Sequence, residues 1–204
     1  VTDHYSTASI CGPNSKKILN KLFPNLDLSD ENFPHMSFKE DKLKNINCRI
    51  MRISFTGELS YEINIESKYG HSLWKMCIEA GKEFNLTPYG TETMHLLRAE
   101  KGFIIVGQDT DGTMTPSDLQ MDWIVSKKKY DFIGKRSLYR SDTIREDRKQ
   151  LVGLLTDDPK EILEEGAQIV SDVKSKPIDM LGHVTSSYFS PNLSLIHISE
   201  PTRP

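Results

Sequence analysis

Two side chains in this sequence have the type and setting to hold a ligand. Glu62 stands in the alternating segment Tyr61-Glu62-Ile63-Asn64-Ile65, which reads as a strand with Tyr61, Ile63 and Ile65 on one face and Glu62 and Asn64 on the other. A carboxylate offers two acceptor oxygens in one plane. That suits a heterocycle presenting an amino group beside a ring N–H, as a pterin or a guanine does; the simpler reading is a Glu that faces water. Arg98 lies on a helix beginning near Thr91, where Met94, Leu97, Arg98 and Lys101 share one side, so it borders an apolar face. Either its stem covers that surface while its head reaches water, or its guanidinium fork sits in a cleft, suited to an anionic ligand or to Glu62.

Other chemistries lack their residues. Gly102, Gly107 and Gly112 are spaced by five and do not make G-x-G-x-x-G, and Gly134-Lys135-Arg136-Ser137 lacks the upstream glycine of a phosphate loop. No G-x-S-x-G elbow occurs. The six His are dispersed, and Cys11, Cys48 and Cys77 stand far apart with no C-x-x-C. A zinc site or disulfide framework is not expected, and a reducing cytosol fits the cysteine usage.

The elements that must position Glu62 and Arg98 follow from periodicity. Gly12-Pro13 opens a helix over 14–23, with Ile18, Leu19, Leu22 and Phe23 at helical spacing and Pro24 ending it. Residues 24–47 read as polar and turn-rich. Cys48 to Phe55 reads as a strand, paired through the turn Thr56-Gly57-Glu58 with the strand that carries Glu62. An amphipathic helix spans about 69–84, with Leu73, Trp74, Cys77, Ala80, Gly81 and Phe84 on one side. The helix from Thr91 has Gly102 as a left-handed stop. A polar loop covers 107–122. Residues 127–149 are strongly charged with both signs interleaved, the pattern of a solvated connector rather than a nucleic-acid patch. From Gln150 the chain turns to short β-like runs, a second, all-β unit.

Composition bounds the partners. The 204 residues carry 26 Lys+Arg against 29 Asp+Glu, a net charge of -3, so nothing electrostatic points to nucleic acid or a membrane surface. The longest apolar run, Phe103-Ile104-Ile105-Val106, is too short to span a bilayer. Val1-Thr2-Asp3-His4-Tyr5 has no secretory-signal pattern.

Four motifs in one order carry a resemblance. Thr56-Gly57-Glu58-Leu59-Ser60-Tyr61-Glu62, Leu97-Arg98-Ala99-Glu100-Lys101-Gly102, Thr115-Pro116 with the later Trp123, and Gly182-His183-Val184-Thr185-Ser186 with Ser190-Pro191 resemble the aminomethyltransferase (glycine-cleavage T-protein) superfamily. Pro88-Tyr89-Gly90-Thr91-Glu92, Gly107-Gln108-Asp109-Thr110-Asp111-Gly112 and Asp131-Phe132-Ile133-Gly134-Lys135 resemble its branch in the alpha subunit of heterotetrameric sarcosine oxidase.

The resemblance implies an α+β architecture: an aminomethyltransferase-like folate-binding domain at 1–127 whose N-terminal part is missing, a charged connector at 128–149, and an incomplete C-terminal β-barrel at 150–193. Residues 194–204 have no family counterpart and are set aside as a foreign tail, with partial disorder expected after about residue 190. Glu62 would bind the pterin, Arg98 would be the helix arginine of the folate cleft, and Phe55 would stand beside the pterin. Tyr188 would be a further contact, against the simpler reading of an aromatic in the core. The implied activity is capture, by tetrahydrofolate, of the one-carbon unit from oxidised sarcosine. The products would be 5,10-methylenetetrahydrofolate, glycine and hydrogen peroxide. FAD, FMN and NAD would belong to other parts of the complex, and the other sarcosine oxidase subunits would be partners. The family's catalytic acid is expected upstream of Val1, so this segment alone is expected to be inactive. Alternatives are an aminomethyltransferase proper, a dimethylglycine-type oxidase, or a non-enzymatic folate-binding assembly or regulatory protein.

Overall fold

The computed structural model describes residues 2–158, 161–174 and 176–199, with the backbone alone over 194–199. The chain forms two compact units, Val1–Leu97 and Arg98–Pro204.

In the first unit, β1 (Tyr5–Cys11), α1 (Ser15–Leu22), β2 (Ser37–Leu43), β3 (Ile46–Arg52), β4 (Ser60–Glu66) and α2 (Gly70–Gly81) follow in chain order. The strands make one antiparallel sheet in the order β1-β4-β3-β2. Strand alternation sends Ala8, Ile10, Cys48, Ile50, Tyr61, Ile63 and Ile65 into one core with Ile18 and Leu19 of α1 and Leu73 and Cys77 of α2. The opposite face carries Thr7 and Ser9 of β1, Glu62 and Asn64 of β4, and Arg49 and Met51 of β3. Ser9 and Met51 both stand opposite Glu62, and Thr7 and Arg49 both stand opposite Asn64.

The expected strand pair is present as β3 and β4, but β3 leaves the ladder at Arg52. The segment 53–59 turns through Gly57 at φ +77°. It is fastened at Leu59, whose carbonyl accepts from Gly12 N at 2.9 Å and from Ser15 Oγ at 2.9 Å. Two strands escaped the sequence reading. β1 is built of small polar residues around Ala8 and Ile10. β2 lies in the stretch read as turn-rich: of its seven residues only Leu43 is buried, and it is held by pairing with β3. Lys44 and Asn45 join these strands with φ of 48° and 70°. Both values are positive, as a two-residue type I′ turn requires, but the pair lacks the glycine that usually signals one. On α2, Leu73, Cys77 and Gly81 are buried as expected, whereas Trp74 is 49% exposed.

The second unit begins inside α3 (Thr91–Glu100) and contains β5 (Val152–Leu154), β6 (Gln168–Val170), β7 (Met180–Ser190) and β8 (Ser194–Ser199). These strands form an antiparallel sheet in the order β5-β8-β7-β6, and among the described residues it does not close into a barrel. Residues 98–149 lie in this second unit with the later strands. A partly exposed arginine on a buried carboxylate helps to hold them there. Asp118 takes the Arg148 fork through Nε at 2.8 Å and Nη2 at 2.6 Å, while Leu151 N donates to the Asp118 carbonyl at 2.8 Å. Burial pushes the Asp118 carboxyl up, but Arg148 and the Thr115 donors outweigh it and hold it below its usual range. Residues 194–199, set aside in the sequence reading and expected to be partly disordered, form β8 between β7 and β5. Its backbone pairs along an edge that β7 would otherwise leave unpaired. Residues 200–204 lie outside the described residues. No helix among the described residues is long and apolar enough to cross a membrane.

Gly81 is a packing requirement of the first unit. A Cβ there would run into Leu86 Cβ and Cδ2, whereas one at Gly90 would meet nothing within 4 Å. Gly81→Ala gains about 1 kcal/mol of helix propensity but loses roughly 1–3 kcal/mol to overpacking. Thermal unfolding should show Gly81→Ala destabilised and Gly90→Ala within about 0.5 kcal/mol of the parent.

Candidate functional site

β4 places Glu62 opposite the core face, as its alternation requires. The side chain is half-buried, and burial pushes its carboxyl above the usual carboxylate range with no hydrogen bond or neighbouring charge to offset it. Two residues on, Asn64 Oδ1 accepts from Thr7 Oγ1 at 2.8 Å, while Asn64 Nδ2 is shielded from solvent with no hydrogen-bond partner among the described residues. Ser54 Oγ, in the segment after β3, is likewise buried and unsatisfied. Buried polar groups are normally paired, so this sheet face and the segment beside it hold ligand-ready groups. Phe55 is 41% exposed, its ring 6.4 Å from that of His95 and tilted by 36°. Its partly bare ring can form a wall for a planar ligand. The sequence reading singled out Glu62 and Phe55; it placed Asn64 on the ligand face without assigning it a role.

In the second unit, Arg98 neither reaches water nor offers a free fork. It is fully buried, and its partner is Asp109, also fully buried. Nη1 donates to Asp109 Oδ2 and to Phe103 O, the latter at 3.0 Å. Nη2 donates to Ser186 Oγ at 2.6 Å and to Tyr188 Oη at 3.3 Å, and only Nε lacks a partner among the described residues. Asp109 is satisfied in turn by Ile105 N at 2.8 Å, Thr185 Oγ1 at 2.7 Å and Ser186 Oγ at 2.6 Å. The guanidinium carbon lies 5.5 Å from the centre of the Tyr188 ring, a cation–π contact on a half-buried tyrosine. Glu100 extends the same link by accepting from Ser190 Oγ at 2.5 Å. The Leu97–Gly102 and Gly182–Pro191 motifs are thus two sides of one polar network. The structure brings Arg98 and Tyr188 together in it.

Asp109 was missed as a network residue. Its one signal was chemical: an arginine on an apolar helix face requires a carboxylate, and Asp109 sits in the loop that follows.

Of the three free cysteines, Cys48 and Cys77 are buried as expected of small hydrophobes, and burial pushes the Cys77 thiol up to about 11. Cys11 is only partly buried and lies 3.0 Å from Tyr89 Oη. Among the described residues no group of three or more His, Cys, Asp or Glu is placed to hold a metal ion.

With this geometry in hand, the comparisons with known proteins fall into one pattern. The model of the GCVT N-terminal domain matches residues 1–129, and that of the glycine cleavage T-protein C-terminal barrel domain matches residues 149–195. Sarcosine oxidase subunit alpha of Corynebacterium sp. (strain P-1) is 54% identical over 197 residues, which is 95% of this chain and 20% of that protein. The subunit of the same name from Rhizobium meliloti (strain 1021) is 37% identical over 95% of this chain and 20% of its own length. An aminomethyltransferase of Thermoanaerobacter pseudethanolicus is 34% identical over 95% of this chain and 50% of its own length. The chain thus spans about a fifth of the length of the first group and half that of the second. The crystal structure of the glycine cleavage system aminomethyltransferase T from Bartonella henselae superposes with a TM-score of 0.78 at 21% identity, covering 97% of this chain and 52% of that one. At that identity the likeness establishes the fold.

The buried Arg98–Asp109 pair predicts a non-additive stability pattern. Asp109→Ala leaves a guanidinium buried without its counter-charge and should cost about 3–5 kcal/mol. Arg98→Met should cost a similar amount, and the double variant should cost clearly less than the sum. Urea unfolding of the intact protein and its three variants reads this coupling directly.

Proposed function

The chain belongs to the family of the GCVT N-terminal domain, followed by a segment of the T-protein C-terminal barrel, and from that premise we propose that it binds tetrahydrofolate for one-carbon transfer. The relatives of highest identity among those described carry the name sarcosine oxidase subunit alpha. The finer reading is therefore that the protein containing this chain captures the one-carbon unit of oxidised sarcosine. In such a complex a flavin held elsewhere would take two electrons from sarcosine, and oxygen would accept them as hydrogen peroxide. The resulting imine passes its one-carbon unit to the folate, leaving glycine and 5,10-methylenetetrahydrofolate. The chain's share of this chemistry is positional: it holds the folate amine nitrogens where the imine arrives and excludes the water that would hydrolyse it to formaldehyde.

The observation that carries the reading is Glu62, a half-buried carboxylate whose raised pKa has no compensating partner. Its two oxygens match the amino and ring N–H groups of a pterin, and those donors would stabilise its charged form. Phe55, from the segment that follows β3, supplies the aromatic wall. Arg98 and Tyr188 enter differently: their donors and acceptors are spent within the chain. In this reading they are positioning residues within the second unit, holding the loop at 103–111 against β7. The enzyme would work with the other subunits of a sarcosine oxidase, and flavin and nicotinamide groups would lie outside this segment.

Glu62→Gln separates ligand binding from stability. Replacing a charged acceptor should weaken tetrahydrofolate binding by the intact protein about 10- to 100-fold, measured by calorimetric titration. Unchanged affinity would overturn the assignment. The same substitution should raise the melting temperature of the ligand-free protein at pH 7. Burial in the folded state holds the Glu62 carboxyl above its ordinary value of 4.5, so its ionisation disfavours the fold as pH rises through that raised value. Below pH 4.5 the side chain is largely protonated in both states, and the difference between Glu62→Gln and its parent should fade.

A further inference from the structure

Asn64 is the feature of the first unit that the folate reading leaves unexplained. Its amide is oriented: Oδ1 accepts from Thr7 Oγ1 at 2.8 Å, across the β1–β4 ladder where the two residues stand opposite one another. That bond leaves Nδ2 as the free end, and Nδ2 is shielded from solvent without a hydrogen-bond partner. Burying an amide donor without a partner is costly, so an uncompensated one inside a sheet calls for an acceptor from outside the chain. Asn64 lines a concavity of about 840 Å³ with Thr7, Arg49 and Met51, and Glu62 follows on the same face.

The two side chains are complementary to a single chemical edge. Residues i and i+2 of a strand project to one face about 7 Å apart. Glu62 presents two acceptors and Asn64 one donor. We propose that Asn64 is a specificity-determining residue: it donates Nδ2 to the ring carbonyl of the heterocycle whose amino and ring N–H groups Glu62 accepts. The pair then reads an amino, N–H, carbonyl edge as a unit. For a folate the carbonyl is the 4-oxo group, and Met51, opposite Glu62 on β3, offers an apolar contact for the ring. Thr7 acts at one remove as the residue that sets which way the amide points.

This inference rests on the folate reading, and one set of titrations separates the two. The intact protein and its variants Glu62→Gln, Asn64→Asp, Asn64→Leu and Thr7→Val are titrated with tetrahydrofolate, with its 4-amino analogue, and with guanosine. The analogue replaces the ring-carbonyl acceptor by a donor and also lacks the ring N–H, so the share of Asn64 is read from the change in preference on its substitution; guanosine presents the same edge on a different molecule. The expected results are a preference of at least tenfold for tetrahydrofolate over the 4-amino analogue in the parent, and weakened binding of both by Glu62→Gln. Asn64→Asp and Asn64→Leu should each reduce the preference about tenfold, and Thr7→Val should reduce it about threefold. Asn64→Leu adds no charge beside Glu62, so it keeps the test readable if Asn64→Asp unfolds.

A preference unchanged within twofold in both Asn64 variants, with Glu62→Gln still weakening both ligands, overturns the role of Asn64 and leaves the folate reading standing. Unchanged folate affinity in Glu62→Gln overturns the reading beneath it. Guanosine binding tighter than tetrahydrofolate keeps the edge-reading pair but removes the folate as its ligand.

Discussion

The ion pair between Arg98 and Asp109 is the constraint on which the second unit is organised. Both side chains are fully buried, and taking two charges out of water is costly unless the remaining donors and acceptors are met. Here they are met almost completely. The carboxylate collects the guanidinium, the Ile105 N–H and the hydroxyls of Thr185 and Ser186. The guanidinium spends its other donors on Phe103, Ser186 and Tyr188. Each partner comes from a different stretch of chain: the end of α3, the loop after it, and the middle of β7. Among the described residues these stretches bury little apolar surface: Ala99, with Leu151 and Tyr188 packed against it, and Val184 of β7. Polar geometry does the organising that apolar packing does in the first unit. A second pair, Asp118 with Arg148, repeats the device further along and fastens the charged stretch to Leu151.

The first unit is built on the opposite principle. Its sheet buries one apolar face beneath α1 and α2, and the other face is free to carry function. The covered face needs few polar groups. The other face tolerates groups that lower stability, such as a carboxylate whose charge burial disfavours and an amide donor with nothing to bond. Such groups persist where a ligand compensates them, because a ligand that binds only the folded form adds its binding free energy to stability.

How far the sequence discloses this differs by element. α1, α2, α3 and the β3–β4 pair were legible because apolar periodicity and glycine stops coincide in them. β1 and β2 were not. Their residues are small or charged, their pairing is long-range for β1, and the turn at Lys44-Asn45 carries no glycine. What makes them strands is the ladder itself, which propensity does not encode. Glu62 was legible because alternation alone sets its face. Arg98 was legible as important but not in its role, since a helix position on the apolar border is compatible with solvent, ligand or a buried partner. The partner, Asp109, lies eleven residues on in an irregular loop, where no spacing rule applies. The strand at 194–199 shows the same limit: the resemblance set that stretch aside, while its backbone pairs with β7 and β5.

The contrast between Glu62 and Arg98 gives a physical criterion for telling a binding residue from a scaffold residue when both are charged, both match a family motif and both are withdrawn from water. A scaffold charge is satisfied by its own chain, because the fold must be stable before any ligand arrives. A binding charge is left with capacity to spare, and burial shifts its pKa in the direction that a ligand's donors will reverse. Arg98 has five N–H donors and leaves one unspent. Glu62 has two acceptor oxygens in a plane, and neither a hydrogen bond nor a neighbouring charge offsets its burial. Asn64 sits between these cases, with one end of its amide fixed by Thr7 and the other unpaired. Fixing the acceptor end is what gives the free donor a direction, and a donor with a direction can discriminate among ligands that a lone carboxylate would accept alike.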